Sequence, residues 1–290
     1  RSRRQRQMCI RDRYNNASGG QELACYTASE SCVDNGNTTN WRFADPALVT
    51  LSGAVFHDAG RTDVGINKTM ALSINGTKQG TTVETDANGV YSFENIALTQ
   101  GDVVAVYLDD EAEDGVTTTV VSGSTIGDLN VYRDRLSVRS DSGSSPLTNQ
   151  HLATVASTSD TDIDAIFTES SNDITVLSGK ELRIWTGSTL KITAAVTTDD
   201  YVQYGSVVHG TSVVTINSGT IIYQGVFTGS SGILDVNRNL AIVGGTFIAP
   251  SGSLTLSGNL LHTAANSFRH NTGTVVLDGT NQLISSSGAF

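Results

Sequence analysis

The chain is poor in lysine, proline, cysteine and aromatic residues: 4 Lys, 3 Pro, 3 Cys and 6% aromatics in 290 residues. Good helix formers are scarce, which argues against a helical bundle or a doubly wound α/β enzyme. Too few cysteines are present for a disulfide-rich scaffold or a zinc site of regular spacing. No apolar run approaches the roughly 18 residues of a membrane-spanning helix. Charged residues amount to only 16%, with 18 basic against 29 acidic and a net charge of −11. That balance disfavours nucleic acid and anionic membranes, since both require basic patches. What is present is Ser (32), Thr (36) and Gly (29), a third of the chain. With abundant Val and Ile, this composition fits pleated surfaces and the turns between them, and the expected fold class is all-β.

The first thirteen residues, RSRRQRQMCIRDR, carry six Arg and one Asp and are unlike the rest. As a basic tail they would suit an acidic partner. Residues 3–12 instead resemble a sequencing-library adapter translated in frame, so residues 1–13 are set apart from fold reasoning. Without them, 12 basic and 28 acidic residues remain, a net charge near −16. The chain is then expected to be an internal fragment, with Met8 not a start. Of the cysteines left, Cys25 and Cys32 are six residues apart and lack further Cys or His for a metal. They are expected to close a short disulfide loop in an exported protein, the alternative being two reduced thiols.

Residues 14–46 are polar and end at Trp41-Arg42-Phe43, expected to be the last strand of a truncated preceding domain. From 47 to 115 the apolar period is two. Asn75-Gly76 marks a hairpin, and Asp86-Ala87-Asn88-Gly89 marks a second between Val83 and Tyr91. This reads as an antiparallel β-sandwich. The runs Gly53-Ala54-Val55, Ala71-Leu72-Ser73-Ile74 and Thr85-Asp86-Ala87-Asn88-Gly89-Val90-Tyr91-Ser92-Phe93 resemble the carboxypeptidase-regulatory-like, transthyretin-related module. That resemblance implies a non-catalytic spacer of bacterial surface proteins. Residues 116–164 form a β-rich junction, with strands expected at 116–121, 129–132 and 136–138, a Ser-rich loop at 141–149 and an acidic loop at 160–164.

The clearest signal lies in 165–290. Gly225-Val226-Phe227 through Leu240 aligns without a gap on Gly245-Thr246-Phe247 through Leu260, at a shift of twenty. A further copy follows at twenty-one through Phe268, Gly273, Val275 and Leu277. Periods of this size denote solenoids. With Gly and Ser every few residues, a parallel β-solenoid of about 20 residues per turn is favoured over a helical leucine-rich repeat. Stacked turns would align Phe227, Phe247 and Phe268, and also Leu234, Leu254 and Val275. Asn239 over Asn259 would form an amide ladder, and Gly232, Gly252 and Gly273 would take positive φ at corners. The repeats resemble the β-strand repeats of large bacterial surface and secreted proteins, including filamentous-haemagglutinin-like adhesins.

Candidate chemistry is sparse. Two acidic clusters, Asp109-Asp110-Glu111 with Glu113-Asp114, and Asp160, Asp162 and Asp164, offer oxygens for Ca²⁺. Ala165 and Ser171 stand where an EF-hand needs Gly and Glu, so the second is no EF-hand. Asp235 and Asp278 are expected to face outward on separate turns. His57, His151, His209, His262 and His270 show no ligand spacing and read as surface or corner residues. Trp185, Tyr201, Tyr204 and Tyr223 do not single out one face by spacing. The function expected is a non-catalytic, adhesive or structural fragment of an extracellular or cell-surface bacterial protein, with glycans or other surface proteins as partners, no nucleic acid and no membrane insertion. The alternative is a carbohydrate-active β-solenoid enzyme (polysaccharide lyase or hydrolase), and a third option is a tail-spike-like trimer.

Overall fold

The structure, a computed structural model, describes residues 23–24, 41–42, 47–122, 126–140, 146–263 and 268–287. The chain forms two compact units, Arg1–Ala47 and Leu48–Phe290. In the first, Leu23–Ala24 pairs in parallel with Trp41–Arg42. The adapter-like residues, Phe43 and the expected Cys25–Cys32 disulfide lie outside the described residues.

In the second unit the chain repeatedly turns through three sides. The first side holds Glu181–Ile184, Asp200–Gln203, Thr220–Ile222, Leu240–Ile242, Leu260–His262 and Ile284–Ser286. The second holds Thr189–Ile192, Ser206–His209, Val226–Thr228, Thr246–Ile248 and Phe268–Arg269. The third holds Val196–Thr198, Val213–Ile216, Ile233–Val236, Ser253–Leu256 and Thr274–Leu277. Successive strands on each side pair in parallel, as in Val214 with Leu234 and Leu234 with Leu254, twenty residues apart each time. Arg135–Val138 and Val116–Val120 extend the first side in parallel at its other end. Eight parallel strands therefore run in one row, a β-solenoid of about eight turns.

Each strand obeys the two-residue period: Leu234 and Val236 are buried while Ile233 is exposed. Stacked turns then place like on like. Phe227 pairs with Phe247 and Phe247 with Phe268, at ring-centroid distances of 5.0 and 5.6 Å. Leu234, Leu254 and Val275 share one column. Burying each aromatic ring and packing it on the next contributes both apolar transfer and ring–ring contact.

The corners differ from the expectation. Positive φ falls at Gly225 and Gly245 (73° and 71°), not at Gly232, Gly252 or Gly273. Those three are required for another reason: a Cβ on Gly252 would strike the Gly232 carbonyl, and one on Gly273 the Pro250 carbonyl. Asn239 and Asn259 do not form an amide–amide ladder either. The Asn239 side-chain oxygen accepts the backbone N–H of Asn259 at 2.8 Å, and that of Asn259 accepts the N–H of Leu283 at 2.7 Å. An amide-to-amide bond occurs instead at Asn237 and Asn217, 3.2 Å apart.

Towards the N-terminal end, the first side continues without a break into antiparallel pairing. Val116–Val120 pairs with Val103–Leu108, which pairs with Thr69–Ile74. One face of this sheet (Met70, Leu72, Val104, Val106, Leu108) packs with Val49, Leu51, Val55, Tyr91 and Phe93. The opposite face (Ala71, Val103, Ala105, Tyr107) joins the solenoid core. The sheet is buried on both faces and runs on into the solenoid, so the antiparallel sandwich expected over 47–115 is not clearly shown. The Asn75-Gly76 hairpin forms, with Ile74 opposite Thr77 and φ of 50° and 76° in the turn. The turn at Asp86–Gly89 does not join paired strands. Val83–Glu84 pairs with Thr69–Ile74, whereas Val90–Leu98 belongs to the sheet of Ala47–Phe56.

The expected β-rich junction contains two helices, α1 (Asn149–Ala156) and α2 (Thr161–Asp164). Thr148 and His151 form a capping box, the His151 Nδ1 accepting the Thr148 N–H at 3.2 Å. Leu152, Val155 and Ala156 of α1 enter the solenoid core beside Phe167 and Ile174. The helix thus covers apolar surface where the parallel stack begins.

Replacing Phe247 by Ala is expected to cost about 3–5 kcal/mol, as for a fully buried aromatic, and to weaken both neighbouring turns; urea unfolding measures it. The histidines set a pH dependence. Burial holds His151 and His209 below the ordinary value. The unfolded chain takes up these protons near pH 6.5 while the fold resists. Stability is therefore full above that pH and lost as pH falls through the depressed folded values. Melting curves at pH 7.5 and 5.0 should show a lower midpoint in acid, with a smaller drop in His151→Gln, which keeps an acceptor for the cap.

Candidate functional site

Two places in the second unit concentrate polar chemistry. In the first, Asp109, Asp160 and Asp162 bring carboxylate oxygens within 4.8 Å of one another. Asp160 caps α2, its Oδ1 accepting the Asp162 N–H at 3.1 Å. Lys78 lies between the acids, with Nζ 2.5 Å from Asp109 and 2.9 Å from Asp160. The Tyr107 hydroxyl donates to Asp160 at 3.0 Å, and the Asp110 N–H to Asp162 at 2.9 Å.

The expected trio Asp160, Asp162 and Asp164 is not assembled: Asp164 is exposed at the far end of α2, and Asp109 takes its place. The rest of the 109–114 run turns elsewhere. Glu111 and Glu113 bind Lys68 at 3.2 and 2.6 Å, and Asp114 binds Lys180 at 3.3 Å. Burial opposes the Lys78 charge, but hydrogen bonds to Asp109 and Asp160 outweigh it and raise its pKa. Burial likewise works against the Asp160 charge, yet Lys78, the Asp162 N–H and Tyr107 hold it below the usual range. Asp162 is raised, by burial and then, beyond its bond from Asp110, by the Asp160 charge. The cluster can offer three carboxylates to a divalent cation only if the ammonium leaves. As it stands, it is an ion-paired knot tying α2 to the antiparallel sheet.

The second place is an aromatic column beside a cleft. Phe56, Tyr132, Trp185, Tyr204 and Tyr223 stack in sequence, at centroid spacings of 5.4, 4.8, 5.9 and 4.9 Å. Trp185, Tyr204 and Tyr223 immediately follow the paired residues Ile184, Gln203 and Ile222 on the first side. They therefore form one column, against the expectation that they mark no single face. Tyr201 is the exception, buried inside with its hydroxyl on Gln203 at 2.8 Å. The signal was a nineteen-residue interval between 185, 204 and 223; nothing local ties Phe56 and Tyr132 to it.

Arg183 lies 5.2 Å from the Trp185 ring and 5.8 Å from that of Tyr204. Arg61 lies 5.6 Å from both Phe56 and Trp185, its Nε donating to the Tyr132 hydroxyl at 2.7 Å. Such guanidinium–ring contacts favour both partners. Next to this column is a cleft of about 320 Å³ lined by Arg61, Asp128, Asn130, Arg139, Trp185 and Thr186.

Other expected positions are placed differently. Asp235 is half-buried on the third side and held above the usual range, by burial and then by the charge of Asp278. Asp278 accepts from Ser257 at 2.7 Å. His209 and His262 are buried rather than at the surface, since their positions alternate inward with the strand period.

No protein family, curated protein or solved structure matches this chain. Among the described residues no helix is long and apolar enough to cross a membrane.

Replacing Lys78 by Met should destabilise the fold by roughly 1.5–3 kcal/mol, the range for hydrogen bonds to charged groups. The Lys78 side chain is 39% exposed, which keeps the cost below that of a fully buried pair. Calcium is expected to leave the melting midpoint of the parent chain unchanged and to raise that of Lys78→Met; calorimetric melts with and without Ca²⁺ check both.

Proposed function

We propose that this chain is a non-catalytic stalk and display scaffold from a large bacterial cell-surface or secreted protein, adhesive through glycans or other surface proteins. The observation that supports it most is the uninterrupted register of the parallel turns, each apolar column continuing into the next. A stack of this kind adds length and stability turn by turn, as repeat architectures do. The repeat resemblance to filamentous-haemagglutinin-like adhesins, and that of residues 47–115 to the carboxypeptidase-regulatory-like spacer, point the same way.

The second reading, a carbohydrate-active solenoid enzyme, draws on one observation: Asp235 is held above the usual carboxylate range, by burial and then by the charge of Asp278, the direction an acid catalyst requires. Incubating the chain with neutral and acidic polysaccharides and assaying for reducing ends and unsaturated products separates the two. The scaffold reading expects no turnover. Turnover that disappears in Asp235→Asn overturns it.

A further inference from the structure

The cleft beside the aromatic column has features that the stalk does not need. Arg139 Nη1 and Trp185 Nε1 are both withdrawn from water and hydrogen-bonded to nothing. Buried donors are nearly always satisfied, so two in one wall call for an explanation. Arg61 supplies a second guanidinium; its Nε is engaged by Tyr132, leaving the terminal nitrogens of the fork. Among the described residues neither Arg61 nor Arg139 has an ion-pair partner, although Asp128 lines the same cleft. In a chain of net charge −11, two unpaired arginines around one opening form a local reversal of sign.

We propose that this cleft binds a hydroxylated organic monoanion, and that the fitting class is a uronic acid residue of a glycan. Guanidinium forks match a carboxylate in two-point geometry, and Arg61 and Arg139 both line this cleft, with Trp185 as a reporter in its wall. Asp128 and the Thr186 hydroxyl complement sugar hydroxyls, which donate and accept. Discrimination against an inorganic dianion comes from hydrogen bonding: sulfate carries no hydroxyl to donate to the Asp128 carboxylate, whereas a sugar monocarboxylate does. At about 320 Å³ the cleft has room for one ring, at the small end of the roughly 300–1,000 Å³ found for small-molecule sites. The ring faces of the column are already stacked on each other, so recognition is by hydrogen bonding and charge, not by a sugar lying on an aromatic plate. The proposal holds whether or not the chain serves as a stalk.

The test uses the full chain carrying Trp41→Phe, which leaves Trp185 as the only indole of the two in the sequence. Its N–H resonance is followed by nitrogen–proton correlation NMR during titration with glucuronate, glucose and sulfate. Glucuronate should shift the indole signal saturably, glucose should not, and sulfate should bind at least tenfold more weakly. Arg61→Gln changes an exposed side chain and should weaken glucuronate binding about 10- to 100-fold, the factor for losing a charge-assisted bond; Arg139→Lys, which keeps the charge but loses the fork, should weaken it as well. An unmoved indole signal, or equal shifts with glucose, overturns the site. Sulfate binding as tightly as glucuronate overturns the sugar assignment.

Discussion

Register between successive turns governs this molecule. Parallel pairing at a separation of twenty residues sets Leu234 over Val214 and under Leu254, and Phe227 under Phe247. Every inward position must then tolerate its own equivalent as a neighbour, which like apolar groups do and like charges do not. Phenylalanine on phenylalanine satisfies that condition with favourable ring offset, and leucine on leucine satisfies it by plain packing. Polar groups brought inside need partners. Gln203 fulfils this by joining Tyr201 and the Gly205 carbonyl, at 2.8 and 3.0 Å.

The same stacking makes corners narrow. Gly205, Gly225 and Gly245 form a column in which a Cβ on either of the last two would collide with the carbonyl of the glycine one turn earlier. Glycine is thus selected there by backbone approach as well as by positive φ. A stack also has ends, where apolar interior would meet water. At the end where the stack begins, α1 places Leu152 and Val155 against the core, and the first side runs on into a sheet buried on both faces. The Lys78 knot holds α2 beside Tyr107 of that sheet. Packing the cap and pairing its charges therefore serve one purpose: closing the interior of the solenoid.

On the outside, the period produces something other than stability. A residue that follows each first-side strand recurs in a line, so one aromatic per turn makes a continuous column. Where that column meets the loop carrying Arg61, an otherwise acidic and sparsely charged protein presents guanidinium groups, an indole and hydroxyl-binding side chains around one cleft. The repeat supplies the rigid wall, and the non-repeating segment supplies the chemistry, as loops on regular scaffolds commonly do.

The repeat itself was legible in the residues, because stacking copies a pattern: Phe227, Phe247 and Phe268 announce a column before any coordinates are seen, and the third that is Ser, Thr and Gly announces corners. The strands expected at 116–121, 129–132 and 136–138 meet observed strands at Val116–Val120, Val131–Tyr132 and Arg135–Val138. Other features depended on what lies far apart in the chain. Eight residues of α1 are too few to show a helical period, and their apolar side has meaning only against the solenoid end. Asp109 replaces Asp164 in the acidic cluster because a strand and a helix 50 residues apart meet there. Gly252 and Gly273 are fixed by a carbonyl of another turn and not by their own φ. Phe56 and Tyr132 belong to the separate sheet of Ala47–Phe56, Val90–Leu98 and Val131–Tyr132, so they share a column with Trp185, and Arg61 shares a cleft with Arg139, only because the fold brings that sheet against the first side of the solenoid. Periodicity is a local property that sequence carries; the meeting of non-repeating loops is a long-range one that only the folded chain decides.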